Sequence, residues 1–193
     1  MHNARSRDVP VAVDKFTKWI EAMPVTSASA QCAVKFLDSI VCRFGVPHDI
    51  ITNNGTNFTA KKTQQFCEEK GINFKFASVA HPQTNGQVER SNGLVSAGIK
   101  KRLLDRLHPA AGHWAEELPS VLWSLRTTPK RSTKYTPFFM VYGAEAVLPE
   151  DVRFSAPRVV AYSEETSNKA LAEDMDALDE IRDIALARSA VYQ

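Results

Sequence analysis

The chain has 193 residues, 44% of them hydrophobic and 24% charged. That is ordinary globular composition, which excludes fibrous and low-complexity classes and predicts one main domain with an extension. No run reaches the roughly eighteen apolar residues of a membrane-crossing helix, and the polar residues 1–8 lack a secretory signal's apolar segment. A soluble intracellular protein with no membrane partner is expected.

The formal net charge of +2 hides a division along the chain. Residues 85–135 carry nine Lys/Arg against four Asp/Glu, whereas residues 150–193 carry five against ten. A basic segment of this kind suits a phosphate-rich partner, because cations that neutralise phosphates release counterions; a solvated helix face is the alternative. Cys32, Cys42 and Cys67 have neither CxxC nor Cys/His zinc spacing and are expected as reduced, half-buried thiols.

In chain order, residues 9–16 and 18–25 are apolar and rich in β-branched or aromatic side chains, which predicts two short strands in a hairpin with Asp14 near the turn. Asp14 is read as a turn residue accepting local hydrogen bonds, not as a catalytic acid. From Thr26 or Ser27 the apolar residues recur at three and four through Phe44, a helix stopped by Gly45 and Pro47. Residues 49–52 predict a short buried strand that delivers Asn53 to its end. A second helix is expected from Thr59 to Lys70, with Phe66 and Cys67 inward and Gly71 closing it. Residues 73–77 alternate like a strand. This order predicts a mixed sheet covered by helices.

Residues 78–86 predict a loop containing Pro82 and Gly86, a position where substrate contacts gather. The helix that follows places Val88, Val95, Ile99 and Leu103 on one stripe, with Glu89, Asn92 and Ser96 beside it and Lys100, Lys101, Arg102 and Arg106 further on. After a break at 108–112, residues 114–129 predict a helix with Trp114, Leu118, Val121, Leu122 and Leu125 inward and a kink or break at Pro119. Thr136 then caps a helix with Pro137 at its first position. Residues 150–162 are expected as a linker, and Thr166 to Tyr192 as an acidic amphipathic helix. The implied division is a core domain at 9–149 and a linker with helix at 150–193.

Two clusters concentrate the polar groups: Asn53-Asn54-Gly55-Thr56-Asn57-Phe58, and His81-Pro82-Gln83-Thr84-Asn85-Gly86-Gln87-Val88-Glu89-Arg90-Ser91-Asn92. Thirty-five residues separate Asn53 from Glu89. This pattern resembles the retroviral-type integrases, specifically the catalytic core of Ty3/gypsy-like retrotransposons, where Asp-Asn-Gly-Thr-x-Phe is followed after the same interval by Gly-x-x-Glu-Arg-x-Asn. Residues 114–128 and 136–143, with Trp-x-x-x-Leu-Pro and Thr-Pro-Phe-x-x-Val-Tyr-Gly, extend the resemblance, although Leu125 stands where a tyrosine is usual.

The resemblance implies an α/β, RNase H-like integrase core, a mixed sheet with flanking helices, in which the first strand and its aspartate are missing, followed by a C-terminal helical extension. It implies a Mg²⁺-dependent (or Mn²⁺-dependent) polynucleotidyl transferase whose carboxylates hold two ions. Here Glu89 matches the glutamate, as catalytic residue and weak metal ligand, while Asn53 occupies a degenerate aspartate position. Asparagine keeps aspartate's shape but lacks its charge and presents an NH₂ in place of one oxygen. The implied partners are DNA and further copies of the chain, with no small-molecule substrate, and DNA implies the nucleus. His81, Gln83, Asn85, Arg90, Lys100, Lys101 and Arg102 are the candidate nucleic-acid contacts. The expectation is an impaired integrase core, or an inactive remnant or repurposed DNA-binding or oligomerisation module. Pairing Asp14 or Asp49 with Glu89 as a glycosidase acid and base finds no sugar cleft to serve.

Overall fold

The computed structural model describes residues 8–53, 55–77, 82–105, 114–160 and 163–191. They fall into two compact units, one from residues up to 13 and 20–122, the other from 14–19 and 123 onward.

In the first unit, β1 (Val11–Val13) and β2 (Ile20–Ala22) pair antiparallel with Val11 opposite Ala22, and a bridge between Asp8 and Val25 extends the ladder. Helix α1 (Ala30–Phe44) starts a few residues later than periodicity predicts. Ser29 is its N-cap, and the Ser29 hydroxyl accepts the Cys32 N–H, satisfying a donor that the helix itself leaves unpaired. Gly45, at φ 84°, ends the helix where a left-handed residue is required. Strand β3 (Asp49–Thr52) and strand β4 (Asn73–Phe76) pair in parallel, with Ile50 opposite Phe74.

Two expectations change here. The single mixed sheet is two separate two-stranded sheets, because among the described residues no strand hydrogen-bonds to both pairs. Strand β3 is not fully buried either. Ile50 and Phe74 pack on Leu37, Val41, Phe66, Cys67 and Ile72, whereas Asp49, Ile51, Asn73 and Lys75 on the other side are exposed. With helices covering one face, the ladder's alternation sends every second residue to solvent.

The expected helix from Thr59 to Lys70 is α3 (Lys61–Glu69), with Ala60 in place of Thr59 at its N-cap, and a short helix α2 (Thr56–Thr59) precedes it, separated by the extended ψ of 136° at Ala60. Thr63, fully buried, ties them by donating its hydroxyl to the Asn57 carbonyl at 2.7 Å. Cys67 is fully buried, and burial pushes its thiol pKa up. Cys42 is exposed and Cys32 half-buried; all three are free thiols, and only Cys32 has the expected half-burial.

Helix α4 (Pro82–Asp105) begins earlier than expected, so Gly86 lies inside it; residues 78–81 of the expected loop are outside the described residues. Helix α5 (Trp114–Thr127) continues through Pro119, so of the expected kink or break the break does not occur. The two helices meet closely: a Cβ built on Gly98 would stand 2.7 Å from Val121 Cγ1. Val95, Ile99, Leu118, Val121 and Leu122 are buried.

In the second unit, α6 (Pro137–Tyr142) carries the predicted cap: Thr136 Oγ1 accepts the Phe139 N–H at 2.9 Å and donates to Glu145 at 2.7 Å. The expected linker contains helical turns, α7 (Pro149–Arg153) and α8 (Pro157–Val160), each opened by a proline whose missing N–H costs nothing at a helix start. Helix α9 (Glu164–Val191) follows. Leu178 and Ala185 are buried, and Arg182 donates to the Met140 carbonyl at 3.1 Å near the end of α6. Gly143, at φ 76°, closes α6, and a Cβ built on it would stand 3.2 Å from Leu178 Cδ2. Among the described residues no helix is long and apolar enough to cross a membrane.

The α4–α5 contact makes a paired prediction. Gly98→Ala is expected to lower stability by about 1–2 kcal/mol net, because the methyl group overlaps Val121 by more than the helix-propensity gain offsets. Gly93→Ala, with nothing within 4 Å of the new methyl, is expected to raise it by about 0.5–1 kcal/mol. Urea midpoints at unchanged m distinguish the two; equal stability for Gly98→Ala and the parent contradicts the close approach.

Candidate active site and nucleic-acid interface

Asn53 ends β3 on an exposed turn. Its Oδ1 accepts the Gly55 N–H at 3.2 Å, and its carbonyl accepts the Thr52 hydroxyl at 2.9 Å. This is the local side-chain-to-backbone bond that makes asparagine and aspartate favourable in turns. The turn is tight at Gly55: a Cβ there would lie 2.9 Å from Asn57 Oδ1 and 3.0 Å from Asn53 Oδ1, so these amide side chains would have to shift to admit one. The Gly55 carbonyl then receives the Phe58 and Thr59 N–H groups, starting α2.

Glu89 stands in the second turn of α4, exposed. Among the described residues no hydrogen bond or ion pair joins it to Asn53. Arg90, Lys100 and Lys101 are also exposed. Eleven residues make about three helical turns, so Glu89 and Lys100 lie within about 20° of one another around the axis and about 16 Å apart along it. Arg90 and Lys101 repeat that relation. Val95 and Ile99 occupy the opposite, buried side. One helix therefore presents a carboxylate and three cations outward.

Arg102 differs from its neighbours. It is half-buried, and its guanidinium approaches the Glu117 carboxylate at 3.7 Å, with the Glu117 side chain only 7% exposed. The sequence carries a signal for this pair: Glu117 sits next to Leu118 and one turn before Val121 on the core stripe, where a carboxylate needs a cation. Gln83 and Asn85 lie in the first turn of α4, and the placement of their side chains is outside what is described, as is His81 altogether.

Asp14 takes the structural role read from sequence. Its Oδ2 accepts both the Thr17 N–H at 2.8 Å and the Thr17 hydroxyl at 2.6 Å, and the backbone closes the turn through Asp14 N–H to the Trp19 carbonyl. Asp49, the other carboxylate near the first cluster, is held below the usual carboxylate range, first by a hydrogen bond from Lys75 at 2.7 Å and then by His48 at 3.2 Å.

An integrase core domain family model matches residues 4–82. The chain is 34% identical over 178 residues to the Gag-Pol polyprotein of avian reticuloendotheliosis virus, covering 92% of this chain and 14% of that protein. It is 32% identical over 186 residues to the Pol polyprotein of radiation murine leukemia virus (strain Kaplan), covering 95% of this chain and 30% of that protein. The chain belongs to the retroviral-type integrase core family. It spans less than a third of the length of either polyprotein.

Solved structures agree on the fold of this integrase core. The simian T-cell lymphotropic virus intasome, solved in complex with PP2A regulatory subunit B56 gamma, matches with a TM-score of 0.62 at 22% identity, over 73% of this chain and 50% of that one. The HTLV-2 integrase catalytic core domain in complex with magnesium, in its trimeric form, matches with a TM-score of 0.55 at 21% identity, over 68% of this chain and 90% of that one.

The described residues of this integrase core do not fit a magnesium pair. Two ions side by side require several anionic oxygens. Asn53 is neutral, its one side-chain oxygen is committed to the Gly55 N–H, and Glu89 is a single carboxylate on an open helix face. Among the described residues no group of three or more His, Cys, Asp or Glu side chains converges for a metal.

The site geometry yields two expectations. Arg102→Ala is expected to cost about 1 kcal/mol, since it withdraws one cation from the buried Glu117 carboxylate, whereas Lys100→Ala and Lys101→Ala stay within about 0.5 kcal/mol; thermal or urea unfolding reads the difference. Lys75→Ala raises the Asp49 pKa toward its ordinary value, followed by NMR titration. The sign follows from the depression: the contribution of Asp49 is present above its unfolded pKa and is lost as pH falls through the folded one.

Proposed function

We propose that this integrase core, of Ty3/gypsy-like origin, binds DNA along the outward face of α4 and is impaired in strand transfer. The observation that carries the reading is that face: Glu89, Arg90, Lys100 and Lys101 are exposed together on one helix whose other side is sealed in the core. Such cations neutralise phosphates in a salt-dependent manner and fix a carboxylate's position relative to the backbone they hold.

Impairment follows from the chemistry of Asn53. An amide in place of a carboxylate removes one negative charge from the donor set, and its NH₂ group is a donor that repels a cation rather than binding it. The core domain at 9–149 is the part to which we assign the DNA contact. The magnesium named with the HTLV-2 core supports Mg²⁺ or Mn²⁺ as the ion of a competent relative, and its dimeric and trimeric forms support self-association here. A DNA partner places the work of this chain in the nucleus.

Two measurements test this. In a Mn²⁺ nicking and strand-transfer assay, the parent and Glu89→Gln are expected to be equally inactive; parental activity that vanishes with Glu89→Gln would overturn the impairment. For binding, Lys100→Ala with Lys101→Ala should flatten the plot of log affinity against log salt by about 1.8 for duplex DNA, since each phosphate contact contributes about 0.9. An unchanged slope removes α4 from the interface.

A further inference from the structure

The second unit holds an aromatic cluster that the α4 reading does not use. Trp19, Phe138 and Tyr142 form a closed set, with centroids 6.4 Å apart for Trp19 and Phe138, 5.7 Å for Trp19 and Tyr142, and 4.7 Å for Phe138 and Tyr142. Trp123 joins edge-on to Phe138 at 6.0 Å. The Arg126 guanidinium lies over Trp19 at 4.3 Å, a cation–π contact that covers the innermost ring, which is 7% exposed. The outer rings are open: Trp123 is 40% exposed and Tyr142 52%. Rings of this size are normally withdrawn from water, and when left partly out with firm support beneath them they offer contact area without new ordering.

The stretch of chain that carries the rings of α5 and α6 is basic. Between residues 118 and 144 there are four Lys/Arg and no Asp/Glu. The loop joining α5 to α6 is closed by Lys130 N–H to the Tyr135 carbonyl at 2.9 Å and Lys134 N–H to the Lys130 carbonyl at 2.8 Å, and it leaves Arg131 and Lys134 exposed. Lys130 is half-buried, and burial lowers its ammonium pKa; Arg131 and Lys134 are the exposed cations of the loop. Glu145, the first acid after the segment, accepts the Thr136 hydroxyl.

We propose that Trp123 and Tyr142, with Arg131 and Lys134, form a stacking platform for single-stranded nucleic acid. Exposed rings accept the faces of unpaired bases, while nearby cations take the phosphates. A duplex fits poorly, because its bases are already stacked on one another. A protein partner would have to be acidic as well as apolar to suit the same charge. This surface shares no residue with the α4 face, so it stands or falls separately from the duplex reading above.

The test uses the full chain and a fluorescent oligothymidylate longer than the ~4–16 nucleotides that one such site covers. Trp123→Ala is expected to weaken binding about ten-fold, Trp123→Phe to retain it within about three-fold, and Arg131→Ala with Lys134→Ala to flatten the salt slope by about 1.4. Lys100→Ala with Lys101→Ala should flatten the duplex slope without removing the loss of oligothymidylate affinity that Trp123→Ala causes. Circular dichroism confirms that each variant folds, and Tyr142→Ala gives a second probe if Trp123→Ala does not. Unchanged oligothymidylate affinity in folded Trp123→Ala or Tyr142→Ala overturns the platform. So does sedimentation in which Trp123→Ala converts a parental dimer to monomer with no loss of oligothymidylate affinity, which assigns the surface to a second copy of the chain.

Discussion

The close approach of α4 and α5 is the contact on which the functional face depends. A helix can keep a carboxylate and three cations in water only if its remaining surface is held by something else. Here Val95 and Ile99 are buried, and Gly98 admits Val121 where any side chain would collide. That seam fixes the rotation of α4 about its axis, and the rotation decides that Glu89, Arg90, Lys100 and Lys101 point outward together. The same seam turns Arg102 toward Glu117, so adjacent basic residues separate into a surface pair and a structural ion pair.

At the end of β3 the substitution of asparagine for aspartate separates two roles that one carboxylate can fill. The turn needs an oxygen to accept the Gly55 N–H, and Asn53 supplies it. A metal pair needs negative charge and a second oxygen facing the ion, and an amide supplies neither. The local architecture of an integrase core therefore survives a change that removes a charge from its donor set. Gly55 belongs to the first role, since its N–H is the donor that the Asn53 oxygen accepts.

The second unit is organised by aromatic contacts and helix capping rather than by a sheet. Thr136 starts α6, Gly143 ends it, and Leu178 and Arg182 of α9 dock where α6 closes. The acidic composition of α9 is compatible with this because Leu178 and Ala185 turn inward while Asp179, Glu180 and Asp183 face water. Local charge along a segment thus says little about whether the segment is anchored.

Much of the chain was legible without coordinates. The hairpin, the α1 stop at Gly45, the Thr136 cap and the turn role of Asp14 all follow from short-range chemistry, and so did membership of the integrase core family, carried by the Asn-Asn-Gly and Gly-x-x-Glu-Arg clusters at their spacing. What the sequence could not decide depends on partners distant along the chain. Periodicity predicts that β3 and β4 are strands, but whether four strands make one sheet or two is set by which edges meet. Basic residues at 100–102 look equivalent in one dimension; burial of Glu117 against α4 distinguishes Arg102 from the two lysines. Gly98 reads as an isolated glycine until Val121 arrives beside it, and Trp123, off the predicted inward stripe, gains its ring neighbour Phe138 only from the fold. In each case the deciding quantity is the distance to a residue that sequence spacing does not encode, because packing selects it from the whole unit at once.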